Sequence, residues 1–570
     1  MKTTSKLQFQ ASGNPQDGFR LPRLLEALFV VLIFLELLAP FVTTTLGLDG
    51  RLQLKMVVEF NKLLSSGILV PTWAPDGFYN FGATSFYFYP PLTFYLTSIV
   101  GLTGMSNPMA LFQAVSLLAT IASFFTVRWM LRKVGSSGYR LSLASALYAF
   151  APLRVAELYS RSSLSTHVTY VLLPLILGAL IAIVREDGTS RTKRVLLLAL
   201  WCALLALTNV PITVMMAMSI GIAAIAVWKK LTWNAVGEVA LAATIAAGLA
   251  AYHYASVLSA QSFARLQYLY FIHRPSDIEL YFHLGPGTYH LLALYAGIGI
   301  IVSAYARLRW KRVMLSDTED TVIRIGLSIT AFVLFLDFFP LSAAAWNAFQ
   351  SLQLIQFPWR FYSLLLLFAV IVVGTARSSR VARAAKWISA LWIAGAMLPT
   401  ILVVFNVHVF SHFESPLEDA PEFLPIFFNP SHVSNGGTMQ ETIDQTLQPH
   451  ASDPVVLGDF TLGERVERTM ARPYHETLSM MLEAPRTITF HRFYWPYWHL
   501  YANGKELHSR PDSIGRATAM LPAGHYAATW QLQRTPLECA GLWISGLTAG
   551  GILLLGAVGY IRQKRKIGGV

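Results

Sequence analysis

Apolar runs recur from near residue 24 to the C-terminus, each about 20 residues long, the length a helix needs to cross a hydrocarbon core. The pattern predicts about twelve spans, near 24–46, 107–127, 139–156, 167–184, 194–209, 212–228, 235–254, 287–306, 322–339, 359–376, 387–405 and 538–560. Between 194 and 228, Asn209 and Pro211 leave two readings open, a pair of helices or one broken helix. A different pattern follows the first run. Leu52, Met56, Phe60, Leu63 and Leu64 recur at helical spacing, while Arg51, Lys55, Glu59 and Lys62 share the opposite side. That spacing predicts an amphipathic helix lying in the membrane interface and ending near Gly67.

Toward the C-terminus the texture changes. Asn435-Gly436-Gly437 and Asn503-Gly504 are turn signals, and Arg486–Trp495 and Ala517–Leu532 read as strands around them. The expected architecture is a polytopic α-helical membrane protein with a β-rich, sandwich-like extracytoplasmic domain before its last span. The divisions fall at 1–405 for the helical part, 406–537 for the outer domain, and 538–570 for the last span with a basic tail. Outer segments are expected at about 49–106, 255–286, 340–358 and 406–537.

Composition agrees: 54% of residues are hydrophobic and 13% charged, against about 25% charged in soluble domains. The net charge of +13 would suit nucleic acid, but its positions argue otherwise. Arg128/Arg132/Lys133, Arg191/Lys193/Arg194, Lys229/Lys230, Arg307/Arg309/Lys311/Arg312 and Arg562/Lys564/Arg565/Lys566 sit at span ends, where basic residues hold the cytoplasmic side. Both termini are then expected in the cytoplasm and the polar clusters on the outer face of a bacterial cytoplasmic membrane. The first run has full spanning length with no small-residue cleavage site after it, so it reads as a span and not a removable leader. Cys202 and Cys539 fall in or beside apolar runs and build neither a disulfide framework nor a metal cluster.

Several polar residues sit where a lipid headgroup would. Asp49 stands at the outer end of the first span, directly before the amphipathic helix. It reads either as that helix's N-cap or as a general base. Asp76 in WAPD is a second outer acid, within an ordinary Pro-Asp-Gly turn signature. Arg154, Glu157 and Arg161 share one helical face where the third span leaves the membrane. Guanidinium groups fork onto oxyanions, so this triplet suits a phosphate, or else an interfacial ion-pair ladder. Arg360, in QFPWRF, begins a span on the outer side against the usual charge preference, and Gln356 and Trp359 beside it suit a grip on a lipid phosphate. The histidines between His253 and His290 spread over too long a stretch for a recognisable metal motif. Trp495, Trp498, His499, Tyr494 and Tyr501 read first as core of the outer domain.

The run from Asp49 through WAPDGFYNFGATSFYFYPPLTFY resembles the first outer loop of bacterial membrane proteins related to the GT-C glycosyltransferase superfamily, of the 6-pyruvoyl-tetrahydropterin-synthase-related group. APLRVAELYSRSSLSTHVTYVLLPL and LIQFPWRFYSLL fit the same group, and FYWPYWHLYANGKEL with LPAGHYAATWQLQRTPLECAGLWIS also resembles the outer domain of YfhO-like membrane glycosyltransferases. The resemblance implies transfer of a sugar from a polyprenyl-phosphate carrier to a glycan, lipid or protein acceptor at the outer face. Inversion at the anomeric carbon follows if there is a single direct displacement. Asp49 matches the family's catalytic base. Arg360, Arg161, Arg154, Trp359 and Gln356 would hold the donor phosphate, with Asp76, Glu157, Tyr89 and His167 in support. The chain departs from the group twice: Gln53 stands where a histidine is usual, and Thr166 where an acid is. Both departures weaken a metal-dependent reaction. A transporter or flippase, and a non-catalytic assembly factor that keeps the shell, are the other readings of such a chain.

Overall fold

The computed structural model describes residues 50–149, 151, 154, 162–185, 188–266, 317–337, 339–349, 352, 355, 358–375, 419–429, 439–451, 456–457 and 464–567. Asp49, Glu157, Arg161 and Gln356, the expected spans at 24–46, 287–306 and 387–405, and the 435–437 turn lie outside them.

The helices run α1 (Gly50–Ser65), α2 (Leu92–Gly101), α3 (Pro108–Lys133), α4 (Gly138–Ala149), α5 (Leu164–Arg185), α6 (Arg191–Ala206), α7 (Val210–Ala226), α8 (Trp233–Ala260), α9 (Asp317–Asp337), α10 (Phe339–Ala348), α11 (Tyr362–Thr375), α12 (Met439–Leu447) and α13 (Pro536–Ile567). Among the described residues, four helices are long and apolar enough to cross a membrane: Pro108–Lys133, Leu164–Arg185, Trp233–Phe263 and Pro536–Ala557. Shorter apolar helices, among them Leu92–Gly101 and Val210–Ala226, accompany them. The protein is thus a multi-pass membrane protein with a strand-rich C-terminal region.

Local chemistry sets the boundaries. The Asn107 side chain accepts from the N–H groups of Met109 and Ala110 at the start of α3, and Pro108 takes the first turn, where its missing N–H costs nothing. The stretch from 194 to 228 is two helices. Asn209 caps α7 by accepting from Ile212 N–H at 3.1 Å, Pro211 stands in that first turn, and α6 has already ended at Ala206. Helix α1 matches the expected amphipathic helix and closes at Gly67, whose φ of +88° lets Ile68 N–H reach back to Leu63 C=O at 3.1 Å. One position departs from expectation. Glu59 is not on a solvated side but 3% exposed, because the loop at Asp76 and the segment at Asp419 cover it.

The strands form two sheets. One has the order β1 (Val456–Leu457), β4 (Arg486–Phe493), β8 (Arg516–Leu521), β7 (Arg510–Pro511). The other runs β2 (Arg465–Arg472), β3 (His475–Leu482), β9 (Gly524–Leu532), β5 (Trp498–Ala502), β6 (Lys505–Leu507). All pairings are antiparallel. The Phe490 and Trp530 rings meet edge to face at 4.9 Å and join the two sheets. Asn503 and Gly504 both take left-handed φ in the two-residue turn between β5 and β6. The expected strand Ala517–Leu532 is instead two strands. Pro522 cannot donate to a ladder and Gly524 adopts φ +150°, so the chain turns there and β8 and β9 enter different sheets.

The first outer loop and the C-terminal region share one apolar core. Trp73, Phe78, Phe81, Phe86 and Tyr87 pack with Leu424, Phe493, Trp495 and Trp530 in a single cluster. Thr84 N–H donates to Phe423 C=O at 3.0 Å, and Phe493 N–H donates to Phe81 C=O at 2.8 Å. A separate cluster, centred on α3, α4, α5, α9 and α11, forms the interior of the helical bundle.

Candidate functional site

The helical corner beside α1 joins the two positions at which the chain departs from the group it resembles. Gly50, the residue after Asp49, is buried, and so is Gln53 one turn on, at 1% exposure. The Gln53 amide oxygen accepts from Leu164 N–H at 2.8 Å, the first N–H of α5, and its nitrogen donates to Ser163 Oγ at 3.3 Å. Ser163 Oγ also shares a hydrogen bond with Thr166 Oγ1 at 2.9 Å. The two positions that depart from the family pattern are therefore neighbours, joined through one serine. They use their polarity to fasten the interfacial helix to the outer start of a span. A carboxylate and an imidazole in these places would present ionisable groups; an amide and a hydroxyl satisfy backbone and one another.

Deeper in the bundle, Arg154 is 2% exposed. Its guanidinium donates to Thr120 Oγ1 at 2.9 Å and to Ser123 Oγ, both on α3, and lies over the Tyr170 ring of α5 at 5.1 Å. Tyr170 is six residues past Leu164, so Arg154 sits about 9 Å further along α5 than the Gln53 contact. Thr120, Ser123 and Tyr170 form a polar niche that makes an arginine tolerable inside an apolar bundle. His167, one turn before Tyr170, is 1% exposed, and neither ring nitrogen has a partner among the described residues. An unsatisfied buried imidazole is costly, which sets His167 apart from the partnered niche beside it.

The other expected residues have different surroundings. Arg360 lies in the 3-10 turn Pro358–Phe361 that leads into α11, and its Nη1 donates to Ile355 C=O at 3.0 Å. Trp359 belongs to the same turn. Tyr89 follows a one-turn helix, Ser85–Phe88, and its ring packs on Phe94 at 5.6 Å and Phe423 at 6.3 Å. Asp76 pairs with Lys62 at 2.5 Å on the surface, and the turn around it closes through Gly77 N–H to Ala74 C=O. Its backbone N–H donates to Glu59 Oε1 at 2.6 Å. Burial pushes the Glu59 carboxyl up to about 8; the hydrogen bond from Asp76 N–H opposes this, the charges of Asp76 and Asp419 add to it, and Lys55 opposes it. Among the described residues no group of three or more His, Cys, Asp or Glu side chains is placed to hold a metal ion.

No residue pattern marks the backbone at 78–80. Phe78, Tyr79 and Asn80 adopt left-handed φ of 45°, 59° and 68° in succession, a conformation that L-residues with large side chains resist. Partners from the C-terminal region hold it: Asp419 Oδ2 accepts Phe78 N–H at 2.6 Å, the His491 ring meets Tyr79 C=O at 3.0 Å, and the Tyr79 hydroxyl donates to Asp444 at 3.0 Å. Burial and the bond to Asp444 together raise the Tyr79 hydroxyl to about 12. Trp495 proves to be core, as expected, but of the joint with the first loop, against Trp73 at 5.5 Å and Tyr87 at 5.5 Å. Trp498 is buried beside Arg492, which stacks on it at 4.5 Å and pairs with Glu476. His499 instead faces outward and pairs with Glu506 at 2.5 Å.

No family model matches the chain, and no curated protein does. Solved structures show partial likeness. The arabinofuranosyltransferase AftD from Mycobacteria matches over 67% of this chain and 27% of its own, at 15% identity and a TM-score of 0.39. The apo oligosaccharyltransferase of Archaeoglobus fulgidus matches over 68% of this chain and 55% of its own, at 11% identity and TM-score 0.40. ArnT from Cupriavidus metallidurans, solved with undecaprenyl phosphate, matches over 68% of this chain and 73% of its own, at 11% identity and TM-score 0.37. The chain thus spans about a quarter of AftD and about half of the oligosaccharyltransferase. Overlap at this level carries no argument about activity.

Proposed function

We propose that this protein is a glycosyltransferase that takes a sugar from a polyprenyl-phosphate donor at the outer face of the membrane. In this reading Asp49 removes the proton of the acceptor hydroxyl, which then attacks the anomeric carbon as the lipid phosphate leaves with the bonding electrons. A phosphate is already a good leaving group, so one base and one or two cations suffice. Arg360 and Arg161 supply positive charge to the departing phosphate, Gln356 and Trp359 line that grip, and the YFYPPL segment with Tyr89 shapes the lipid's entry. Arg154, Glu157 and His167 support the site from the bundle side.

The observation that carries the reading is the fastening of α1 to the start of α5 through Gln53, Ser163 and Leu164. It fixes the residue that follows Asp49 in a buried corner, at the end of a span bearing Arg154's niche. A base must be positioned to act, and the described neighbour of Asp49 begins a helix that both ends of the Gln53 amide tie to α5.

One observation favours a second reading, a non-catalytic assembly factor. Gln53 and Thr166 occupy positions with ionisable side chains in the family it resembles, and here both are consumed in a structural bond to Ser163. One assay separates the two: transfer of radiolabelled sugar from a polyprenyl-phosphate donor by the full-length protein in nanodiscs. The transferase reading expects turnover that Asp49→Asn abolishes while melting temperature and membrane insertion stay unchanged. Near-normal turnover by Asp49→Asn removes Asp49 from the mechanism, and no turnover by the wild-type protein favours the assembly factor.

A further inference from the structure

At the end of the bundle opposite the candidate site, α3, α5 and α6 diverge around a groove of about 460 Å³, within the range of ligand sites (about 300–1,000 Å³). Its walls are apolar and aromatic: Phe125 and Trp129 from α3, Leu175 from α5, Leu197 and Trp201 from α6. Phe125 is 55% exposed, so the groove opens sideways, toward where lipid chains would lie. Gly178 shapes its floor. A Cβ there would stand 2.2 Å from the Trp129 ring, so only glycine lets the indole come this close to α5.

The groove ends in cations. The Lys133 ammonium stands over the Trp129 ring at 5.1 Å, and Lys193 is exposed on the first turn of α6. Arg194 also lines the groove, but Glu238 neutralises it with two bonds of 3.1 and 2.8 Å. Basic residues at these helix ends outnumber the acids Glu186, Asp187 and Glu238. By the preference of positive charge for the cytoplasm, this end meets the inner leaflet.

We propose that this groove is a binding site for an anionic phospholipid of the inner leaflet. One acyl chain lies along Leu175, Leu197 and Trp201, Trp129 sits near the headgroup beneath the Lys133 ammonium, and Lys133 and Lys193 hold the phosphate and its neighbouring negative group. Apolar walls alone would take any lipid; two ammonium groups at the polar end select charge. The inference is independent of the transferase reading and stands or falls separately.

The test is native mass spectrometry of the full-length protein titrated with phosphatidylglycerol or phosphatidylcholine of identical chains. Wild-type protein should retain phosphatidylglycerol about tenfold more tightly, the effect of one to two cations near a membrane surface. Lys133→Gln with Lys193→Gln should bring the two lipids near parity. Parity in the wild-type protein, or an undiminished preference in the double variant, would overturn the proposal. Displacement by soluble glycerol phosphate at equal concentration also overturns it, because the apolar walls would then play no part. Should the double variant fail to fold, photoreactive phosphatidylglycerol on the wild-type protein decides. Label on peptides containing Trp129 or Leu197 supports the site, and label confined elsewhere sinks it.

Discussion

Replacing Glu59 by glutamine gives the sharpest test of the joint between the interfacial helix and the outer region. Glu59 is 3% exposed and accepts Asp76 N–H at 2.6 Å. Its carboxyl is raised from 4.5 to about 8, mainly by burial. The native state therefore holds this proton between those two values while the unfolded chain has released it. Stability falls as pH rises across that window and levels off above about 8. The full span corresponds to about 5 kcal/mol and the part reached by pH 7 to about 3 kcal/mol, both upper values. Glutamine keeps an oxygen for the Asp76 N–H and cannot ionise. Thermal unfolding of the purified protein, followed by tryptophan fluorescence from pH 5 to 9, reads the effect. The wild-type Tm should decline with pH more steeply than that of Glu59→Gln, and the variant should be the more stable protein at pH 8.5. Parallel profiles would refute the reasoning, since they would mean that Glu59 is ionised and solvated in the native state.

Two further substitutions probe the same joint. Tyr474→Phe removes a hydroxyl that accepts from Thr72 and Trp73 N–H at 2.8 and 2.9 Å and donates to Trp73 C=O. Leaving those N–H groups without a partner should cost about 2–4 kcal/mol, seen as a lower Tm and faster proteolysis of the first loop, and an unchanged Tm would count against the contact. Gly82→Ala places a methyl group 2.4 Å from the Trp73 ring at a residue with φ +94°. It should destabilise by about 2–5 kcal/mol and weaken the near-ultraviolet aromatic dichroism, whereas wild-type behaviour would show that the loop yields there.

Much of the architecture was legible because its signals are local. Helix α1 announced itself through the spacing of Met56, Phe60 and Leu63, the α6–α7 break through Asn209 and Pro211, and the β5–β6 turn through Asn503-Gly504. What escaped depends on partners far along the chain. Glu59 sits on the polar side of α1 by periodicity, and only the coverage by Asp76 and Asp419 buries it. Gln53 did carry a signal, since it lies at i−3 from Met56 on the apolar stripe, where a polar residue needs a buried partner. The left-handed run at 78–80 had none: Phe-Tyr-Asn lacks the glycine that usually marks such backbone, and its supports at Asp419, Asp444 and His491 are hundreds of residues away. Of the candidate site, the sequence named Arg154 where the third span leaves the membrane, and His167 only through the family resemblance. The niche of Thr120, Ser123 and Tyr170 required the helices to be assembled.

The bond between Trp73 and Tyr474 closes a separation of 401 residues. During biosynthesis the aromatic segment around Trp73 emerges long before the strands that shelter it, and at about 5–20 residues per second the wait is roughly 20–80 s. Throughout that interval Trp73, Phe78, Phe81 and Tyr87 lack their eventual cover, beside a hydrocarbon surface able to adsorb them. Lipid would serve as a temporary chaperone, and a truncated product ending before residue 420 should be cleared by quality-control proteases as an orphan.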